Sequence, residues 1–592
     1  MSVRFGVTFG NHIAFTYGPL GFLDVNQLWY GDTGQIAFLY LIVIRIVLAA
    51  TIYAGARRSF GGIAGFMIAL YVVALSEDLV DVGFVIAAIY LIQLRLPPRI
   101  MSLIVALAGA IAAVEFLIKI SVGMELILIV AVVALAADGH RTRYVLAGAL
   151  GFVVTFLVSW GLASQEFGAL PDYFRNSVQI VSGYSSAMSY EDPTIVWEYS
   201  GALVAFAFGL IAVWYTMSLE TSRRRVGVIA IWVIFAFFEF KESFQRHDAS
   251  HGGIYFSAML GGLLAFHFVR GRRLVALMML AAVAVFTLAA HNRPALSVIN
   301  LSGDLDSAVT QFKEVFTARE RLRIRLEGRE GIVSSTPLDT ETLMLLHGET
   351  VHVTPFEAAL VWAYGLDWHP LPVFQSYAAY TAGLDRLNAN ALKSSKAPQR
   401  ILFGMASGID NRFQPFDEPA TEQTILCRYQ ELHIERAWDV LGVGPDRCGQ
   451  PVRISSIRAA WGQTIPVPSP PNEHTFVIVR VDGVQVTGAE SLRAAIFRPK
   501  LRFVSINGAN YRLVPGTADD GLVLRAPADL DFTPPFSIAP NAKSITVTLE
   551  GSQPGGRPIE YSFYEVPVTV GPRYRPFQHA IAAGSQIAGV QH

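Results

Sequence analysis

Three stretches of the chain carry ionisable side chains inside apolar surroundings, where each such group costs roughly 3 kcal/mol at membrane depth and therefore invites a functional reading. The first is Ser76-Glu77-Asp78-Leu79-Val80-Asp81, a short turn between two apolar runs. Asp78 and Asp81 would share a helical face. Paired carboxylates there could serve as a general base or hold a divalent cation such as Mg or Mn, or they could form a solvated turn. The second comprises Glu115, Lys119 and Glu125. Glu115 and Lys119 have the spacing of an internal ion pair, and the alternative is a lysine offered to a lipid phosphate. The third and densest runs from Glu239 to His251 (EFKESFQRHDASH). If helical, it sets His247 and His251 on one face at metal-ligand spacing, an echo of the HExxH pattern with Asp248 in place of Glu. No third ligand is evident. Lys241, Arg246 and the two histidines suit a phosphate better, because Arg grips it bidentately and Lys acts as a point charge; a plain charged loop beside the membrane is the other reading.

The elements that must position these residues follow from composition. Of 592 residues, 52% are apolar and 16% charged, which excludes an ordinary soluble protein. The net charge of −1 offers no bulk attraction to nucleic acid. From Gln35 to Ala290 the chain is a series of apolar runs, and from His291 onward it reads as a soluble protein. Candidate spans are 35–55, 61–76, 79–95, 100–118, 121–137, 144–163, 198–217, 226–240, 254–269 and 274–290, so about ten helices are expected. Alternate connections carry the arginines: Arg57 and Arg58, Arg95 and Arg99, Arg141 and Arg143, Arg223 to Arg225, and Arg270, Arg272 and Arg273. The positive-inside rule makes that set cytoplasmic and puts 1–34, 164–197, 239–253 and everything after 290 outside. An external segment 1–34 with no apolar run before it implies either a further helix upstream of Met1 or a short external tail.

In the outer part, 301–330 reads as a helix with a basic stretch from Arg319 to Arg325. Residues 291–464 mix short strands such as Val351–Thr354 and Arg400–Phe403 with helices around Phe356–Tyr364 and Tyr380–Leu392, the pattern of a small α/β domain. After the proline-rich break Ile465–Asn472, alternating strands with turn signals at Asp482-Gly483 and Asn507-Gly508 predict a β-sandwich over 465–592. Trp461 and Tyr511 are either core or stacking surfaces. Cys427 and Cys448 lie outside, where oxidation is permitted, and are read as a disulfide. Leu170, Phe174, Val178 and Val181 recur at helical spacing opposite polar residues, so Leu170–Gly183 reads as an amphipathic helix in the plane of the membrane interface.

External acids, a cationic lipid-phosphate-like site, interfacial helices and a soluble external C-terminal part together resemble the GT-C class of polyprenyl-phosphate-sugar-dependent membrane glycosyltransferases. The stretch Phe15-Thr16-Tyr17-Gly18-Pro19-Leu20-Gly21-Phe22-Leu23, with Lys241 to His251 and Pro372-Val373-Phe374-Gln375-Ser376-Tyr377-Ala378-Ala379-Tyr380-Thr381, also resembles a family of bacterial polytopic membrane proteins to which we attach no activity. The GT-C resemblance implies an α-helical polytopic bundle (35–290) in the bacterial plasma membrane, with 1–34 as an external loop. It implies a polyprenyl-phosphate sugar as donor and an envelope glycan as acceptor. It also implies an acidic base in the first external loop, where this chain offers Asp24 and Asp32, and a second acid that Glu77, Asp78 or Asp81 could match. Lys119, Lys241, Arg246, His247 and His251 would then face the lipid phosphate. The readings from other classes are a noncatalytic envelope scaffold, and a polysaccharide ligase or polymerase or a lipid-linked glycan transporter.

Overall fold

Runs of Leu, Ile, Val and Ala with few internal helix breakers fold as long helices. The computed structural model describes residues 5–24, 31–74, 80–217, 220–266, 315–406, 408–551 and 555–569, with isolated positions between 284 and 313. Helix α1 spans Gly31–Ala74 and is interrupted at Gly61, whose φ of 83° only glycine adopts without strain. The following helices are α2 (Val80–Gln93), α3 (Pro98–Ile118), α4 (Ile120–Ala136), α5 (Arg141–Leu162), α6 (Leu170–Met188), α7 (Glu198–Thr216), α8 (Ser222–Gln245) and α9 (Ala249–Leu263). Pro98 opens α3 where its missing N–H costs nothing, and Thr221 caps α8 by accepting from Arg224 N.

Among the described residues, four helices are long and apolar enough to cross a membrane: Thr33–Arg58 within α1, then α3, α5 and α7; α2, α4 and Phe60–Leu70 are shorter apolar helices. The expected spans 226–240 and 254–269 fall on α8 and α9, and 274–290 lies mostly outside the described residues. The bundle wears its apolar residues outward, with Leu103 and Leu107 on α3, Leu146, Leu150 and Leu157 on α5, and Leu203 on α7 all exposed, as lipid rather than water requires. Inside, α3 and α5 approach at backbone distance. A Cβ on Gly109 would sit 2.2 Å from Gly148 O, and one on Gly151 would sit 2.1 Å from Ala106 O. At the other end of the helices, Arg223 and the buried Arg224 both pair with Asp138, so part of the arginine pattern has a packing role.

The chain divides into two compact units. The first comprises Met1–Phe9, Thr16–Leu170 and Met188–Gly328, and the second Gly10–Phe15, Pro171–Ala187 and Arg329–His592. The division therefore differs from one at residue 290. Six residues of the N-terminal segment and nearly all of α6 belong with the C-terminal part.

Two one-turn strands, β1 (Tyr190–Glu191) and β2 (Arg246–His247), pair in parallel in the first unit. The second unit holds β3 (Thr350–Thr354), β4 (Asp367–Trp368), β5 (Arg400–Gly404), β6 (Tyr429–Glu435) and β7 (Trp438–Val443) in one mixed sheet of order β4-β3-β5-β7-β6. Helices α10 (Ala318–Ser335), α11 (Thr340–Leu346), α12 (Ala359–Tyr364), α13 (Ala382–Lys393) and α14 (Pro419–Arg428) interleave with these strands in sequence. Then follow β8 (Val452–Trp461), β9 (Thr464–Pro466), β10 (Thr475–Asp482), helix α15 (Ala489–Ile496), β11 (Arg502–Ile506), β12 (Ala509–Leu513), β13 (Leu522–Arg525), β14 (Ser544–Leu549) and β15 (Gly555–Pro567). They make two antiparallel four-stranded sheets, β13-β10-β15-β8 and β12-β11-β14-β9, around one core containing Val477, Val504, Leu524 and Val547. The sheets begin at Val452 rather than 465. β8 is mostly exposed, so its apolar alternation is faint, and the proline-rich break contains the end of β9.

The α/β part and the sheets are not separable domains. Ile401 and Phe403 of β5 share a core with Phe476 and Ile478 of β10 and Val566 of β15. The β11–β12 hairpin turns at Asn507-Gly508 with φ of 51° and 91°, the two left-handed positions that Asn-Gly supplies. Cys427 and Cys448 form a disulfide with Cα atoms 5.4 Å apart. Trp461 belongs to the sheet core, and Tyr511 packs on Phe413 at 5.4 Å between ring centroids, so neither is a free stacking face.

Candidate functional site

The Phe15–Leu23 stretch has a definite structural task in the first unit. A helix leaves its last four carbonyls without partners, and here Gly18 N donates to Ile118 O at 2.8 Å and Leu20 N to Leu117 O at 3.0 Å, closing the end of α3. Pro19 falls between these two donors and has no N–H to lose. Tyr17 bridges Lys119, and a Cβ on Gly21 would lie 2.8 Å from Tyr17 Cβ, so the tight return needs glycine. A 3-10 turn over Gly21–Leu23 then delivers Asp24, half buried, to the same helix end.

Lys119 is where α3 stops. Its extended dihedrals (φ −146°, ψ 116°) separate α3 from α4 and swing the side chain toward α8, where Nζ meets Glu242 Oε1 at 2.6 Å. The ion pair formed is thus with Glu242, although the ammonium is also felt at Glu115 and Asp81. Glu115 accepts from Tyr40 OH at 2.7 Å and lies within electrostatic reach of Asp24. Asp81, buried in the first turn of α2, shares a hydrogen bond with Glu239 near the end of α8. Glu125 is buried in α4 within reach of Asp81, Glu239 and Glu242, and its Oε1 has no hydrogen-bond partner.

Asp24, Asp81, Glu115, Glu125, Glu239 and Glu242 therefore form one acidic group around Lys119. They come from the starts of α2 and α4, the ends of α3 and α8, and the segment leading to α1, all helix ends on the same side of the bundle. Glu77 and Asp78 lie outside the described residues, so the suggested Asp78–Asp81 face is not described.

The third stretch is arranged differently from the expected helix. The backbone leaves α8 at Gln245, with Arg246 at φ −114° and ψ 87°, so His247 and His251 do not share a helical face. His247 Nε2 lies 3.1 Å from Glu198 Oε2, both side chains fully buried, with the Tyr199 ring 4.6 Å away. His251 Nδ1 meets Asp248 Oδ1 at 2.8 Å. Lys241 Nζ donates to Gln245 Oε1 at 2.7 Å, and Gln245 in turn donates to Ser189 Oγ. Arg246 lies over the Tyr190 ring at 5.8 Å and reaches Met188 O at 3.5 Å. Gln245, Arg246 and His247 therefore tie the end of α8 and β2 to the 188–199 segment, Lys241 joins them through Gln245, and His251 pairs locally with Asp248; of the five expected phosphate-facing cations only Lys119 stands in the acidic group. Among the described residues the only three metal-type donors close enough to share an ion are Cys427, Asp446 and Cys448, and both sulfurs are used in the disulfide.

Sequence reasoning missed Tyr40 and Glu198. Tyr40 sits inside an apolar run, and nothing beside it signals a carboxyl partner 75 positions away. Glu198 follows Trp197 at the start of an apolar run, a signal of a helix first turn rather than of a histidine partner. No protein-family model matches the chain, and neither does any curated protein or solved structure compared with it.

Proposed function

We propose that this chain is an integral membrane glycosyltransferase that moves a sugar from a polyprenyl-phosphate donor to a cell-envelope glycan at the outer face of the bacterial plasma membrane. The observation that supports this reading is the gathering of Asp24, Asp81 and Lys119 at helix ends on one side of an apolar bundle. In this reading a carboxylate takes the acceptor hydroxyl proton as that oxygen bonds to the anomeric carbon from the face opposite the donor phosphate. The bond from the anomeric carbon to the phosphate oxygen breaks, and the lipid phosphate leaves with the electron pair beside Lys119. Asp24 is half buried whereas Asp81 is buried, so Asp24 is the more accessible base.

The test is transfer of labelled sugar from a polyprenyl-phosphate donor in membranes carrying Asp24→Asn or Asp81→Asn. Loss of a general base is expected to cost at least about 100-fold. Unchanged transfer in both variants overturns the proposal. One observation favours the transporter reading: Glu125 keeps an unpartnered carboxylate oxygen inside the helices, as proton relays do. Under that reading Glu125→Gln stops export of the lipid-linked glycan while leaving in vitro transfer intact.

A further inference from the structure

Helix α6 is built the opposite way from a helix on a water-soluble surface. Asn176, Ser177 and Gly183 are buried together with Tyr173 and Ile180, while Phe174, Val178 and Val181 are 45%, 66% and 51% exposed and are flanked by the exposed Arg175 and Ser182. The buried face is committed to the second unit. Asn176 Nδ2 donates to Gly10 O at 2.9 Å, Thr381 Oγ1 donates to Gln179 Oε1 at 3.0 Å, and the Tyr184 and Tyr380 rings meet edge to face at 5.6 Å. At Gly183 a Cβ would lie 2.6 Å from that of Tyr380.

The helix end is held as firmly. Arg512 Nη2 donates to Ala187 O at 2.7 Å, and Arg412 Nη2 donates to the same carbonyl. Both guanidiniums are almost wholly buried, and they are balanced by Asp410 at 3.0 Å and Asp417 at 3.3 Å. Two cations at the negative end of the helix dipole, fed from the 409–417 turn region and from β12, fix its direction in the second unit.

What covers the apolar face follows from the chain on either side. α6 starts eight positions after Leu162, the end of α5, and ends ten positions before Glu198, the start of α7, and both neighbours are long and apolar enough to cross a membrane. Eight extended residues reach at most about 28 Å, so the start of α6 is leashed to the bilayer surface. A leashed helix whose buried polar groups are bonded within the second unit and whose Val178 and Val181 are exposed matches the boundary between headgroups and acyl chains. We propose that α6 moors the second unit to the lipid surface, its Phe174–Val178–Val181 face entering the bilayer interface and its Ala187 carbonyl end clamped by Arg412 and Arg512. The inference needs no enzymatic activity and stands apart from the transferase reading.

The test uses the full chain in lipid nanodiscs, labelled with an environment-sensitive fluorophore at Val178→Cys; Cys427 and Cys448 are occupied in their disulfide and do not compete. Doxyl-labelled lipids are expected to quench the Val178 probe about two-fold or more and to leave a probe at the exposed Glu473→Cys unquenched. Equal signals at the two sites, or blue-shifted but unquenched emission at Val178, which means protein covers the face, overturn the mooring. For the clamp, Arg412→Gln with Arg512→Gln is expected to raise amide exchange in 171–187 about tenfold while quenching at Val178 persists. Gly183→Val, which drives a side chain into Tyr380, loosens the same helix with both arginines in place and serves as the positive control for the exchange readout. Unchanged exchange in the double arginine variant overturns the clamp.

Discussion

Glu422 offers the sharpest perturbation in the second unit. It lies on α14, is fully buried, and neither carboxyl oxygen has a hydrogen-bond partner among the described residues. Burial, then the nearby charges of Asp385, Asp417 and Asp531, push its pKa up to about 8. In the unfolded chain the group titrates near 4.5, so between about 4.5 and 8 the folded protein keeps a proton that the unfolded chain releases. Stability is then fully present below about pH 4.5 and is lost as pH rises through 8, at about 1.4 kcal/mol per pH unit and roughly 5 kcal/mol in all.

Asp385 and Glu418 are also pushed up, chiefly by burial, and act in the same direction. His352 acts in the opposite direction lower down. Burial depresses it to about 3, consistent with its Nδ1 accepting from Leu371 N, and it adds stability as pH rises from 3 to about 6.5. The interval from about pH 6.5 to 8 therefore isolates the acids. Glu422→Gln keeps the shape and removes the titration. The assay is amide exchange in Pro419–Arg428, corrected for intrinsic chemistry, across that interval. The wild-type opening constant is expected to rise on the order of tenfold more than that of the variant. Equal pH slopes in the two proteins would refute the reasoning, because a carboxyl that does not titrate there cannot be held protonated by its surroundings.

Two further outcomes are expected. Cys427→Ser opens the bridge across a sequence separation of 21 residues, and in the chain-entropy model this costs about 3 kcal/mol, read as a lower denaturant midpoint for the second unit that reducing agent reproduces in the wild type. For topology, a cysteine at the exposed Ser222 should be shielded from a membrane-impermeant maleimide added outside intact cells, while one at Glu473 should react; labelling at Ser222 alone reverses the orientation that the arginines imply.

The sequence was legible where a local pattern decides the structure. Unbroken apolar runs gave helices, Asn507-Gly508 marked a hairpin because both turn positions require left-handed backbone, and the spacing of Phe174, Val178 and Val181 marked an apolar helix face. It was not legible where the deciding partner lies far along the chain. Asp81 and Glu239 are 158 positions apart and Lys119 and Glu242 are 123, and nothing near any of them signals its partner. The stretch SFQRHDAS carries no glycine or proline to announce that α8 stops at Gln245, so the helical reading of His247 and His251 was the natural one and the wrong one. Asp417-Glu418-Pro419-Ala420-Thr421-Glu422 reads as a solvated turn, yet all three acids are buried, because Asp385, Asn388 and Arg412 return from elsewhere to meet their backbone and side chains.

The apolar face of α6 is legible in the sequence, whereas its membership of the unit that holds Arg329–His592 is not. Its apolar face is a one-dimensional pattern that any reader of the sequence can find. Its polar face is made of Asn176, Ser177 and Gln179, the residue types that water would also accept, so composition cannot distinguish solvation from docking. The distinction lies in Gly183, which the helix tolerates at a cost of about 1 kcal/mol relative to alanine and which only a close neighbour such as Tyr380 makes worthwhile. A glycine on the polar side of an amphipathic helix is therefore the local trace of a protein partner on that side, leaving lipid for the other.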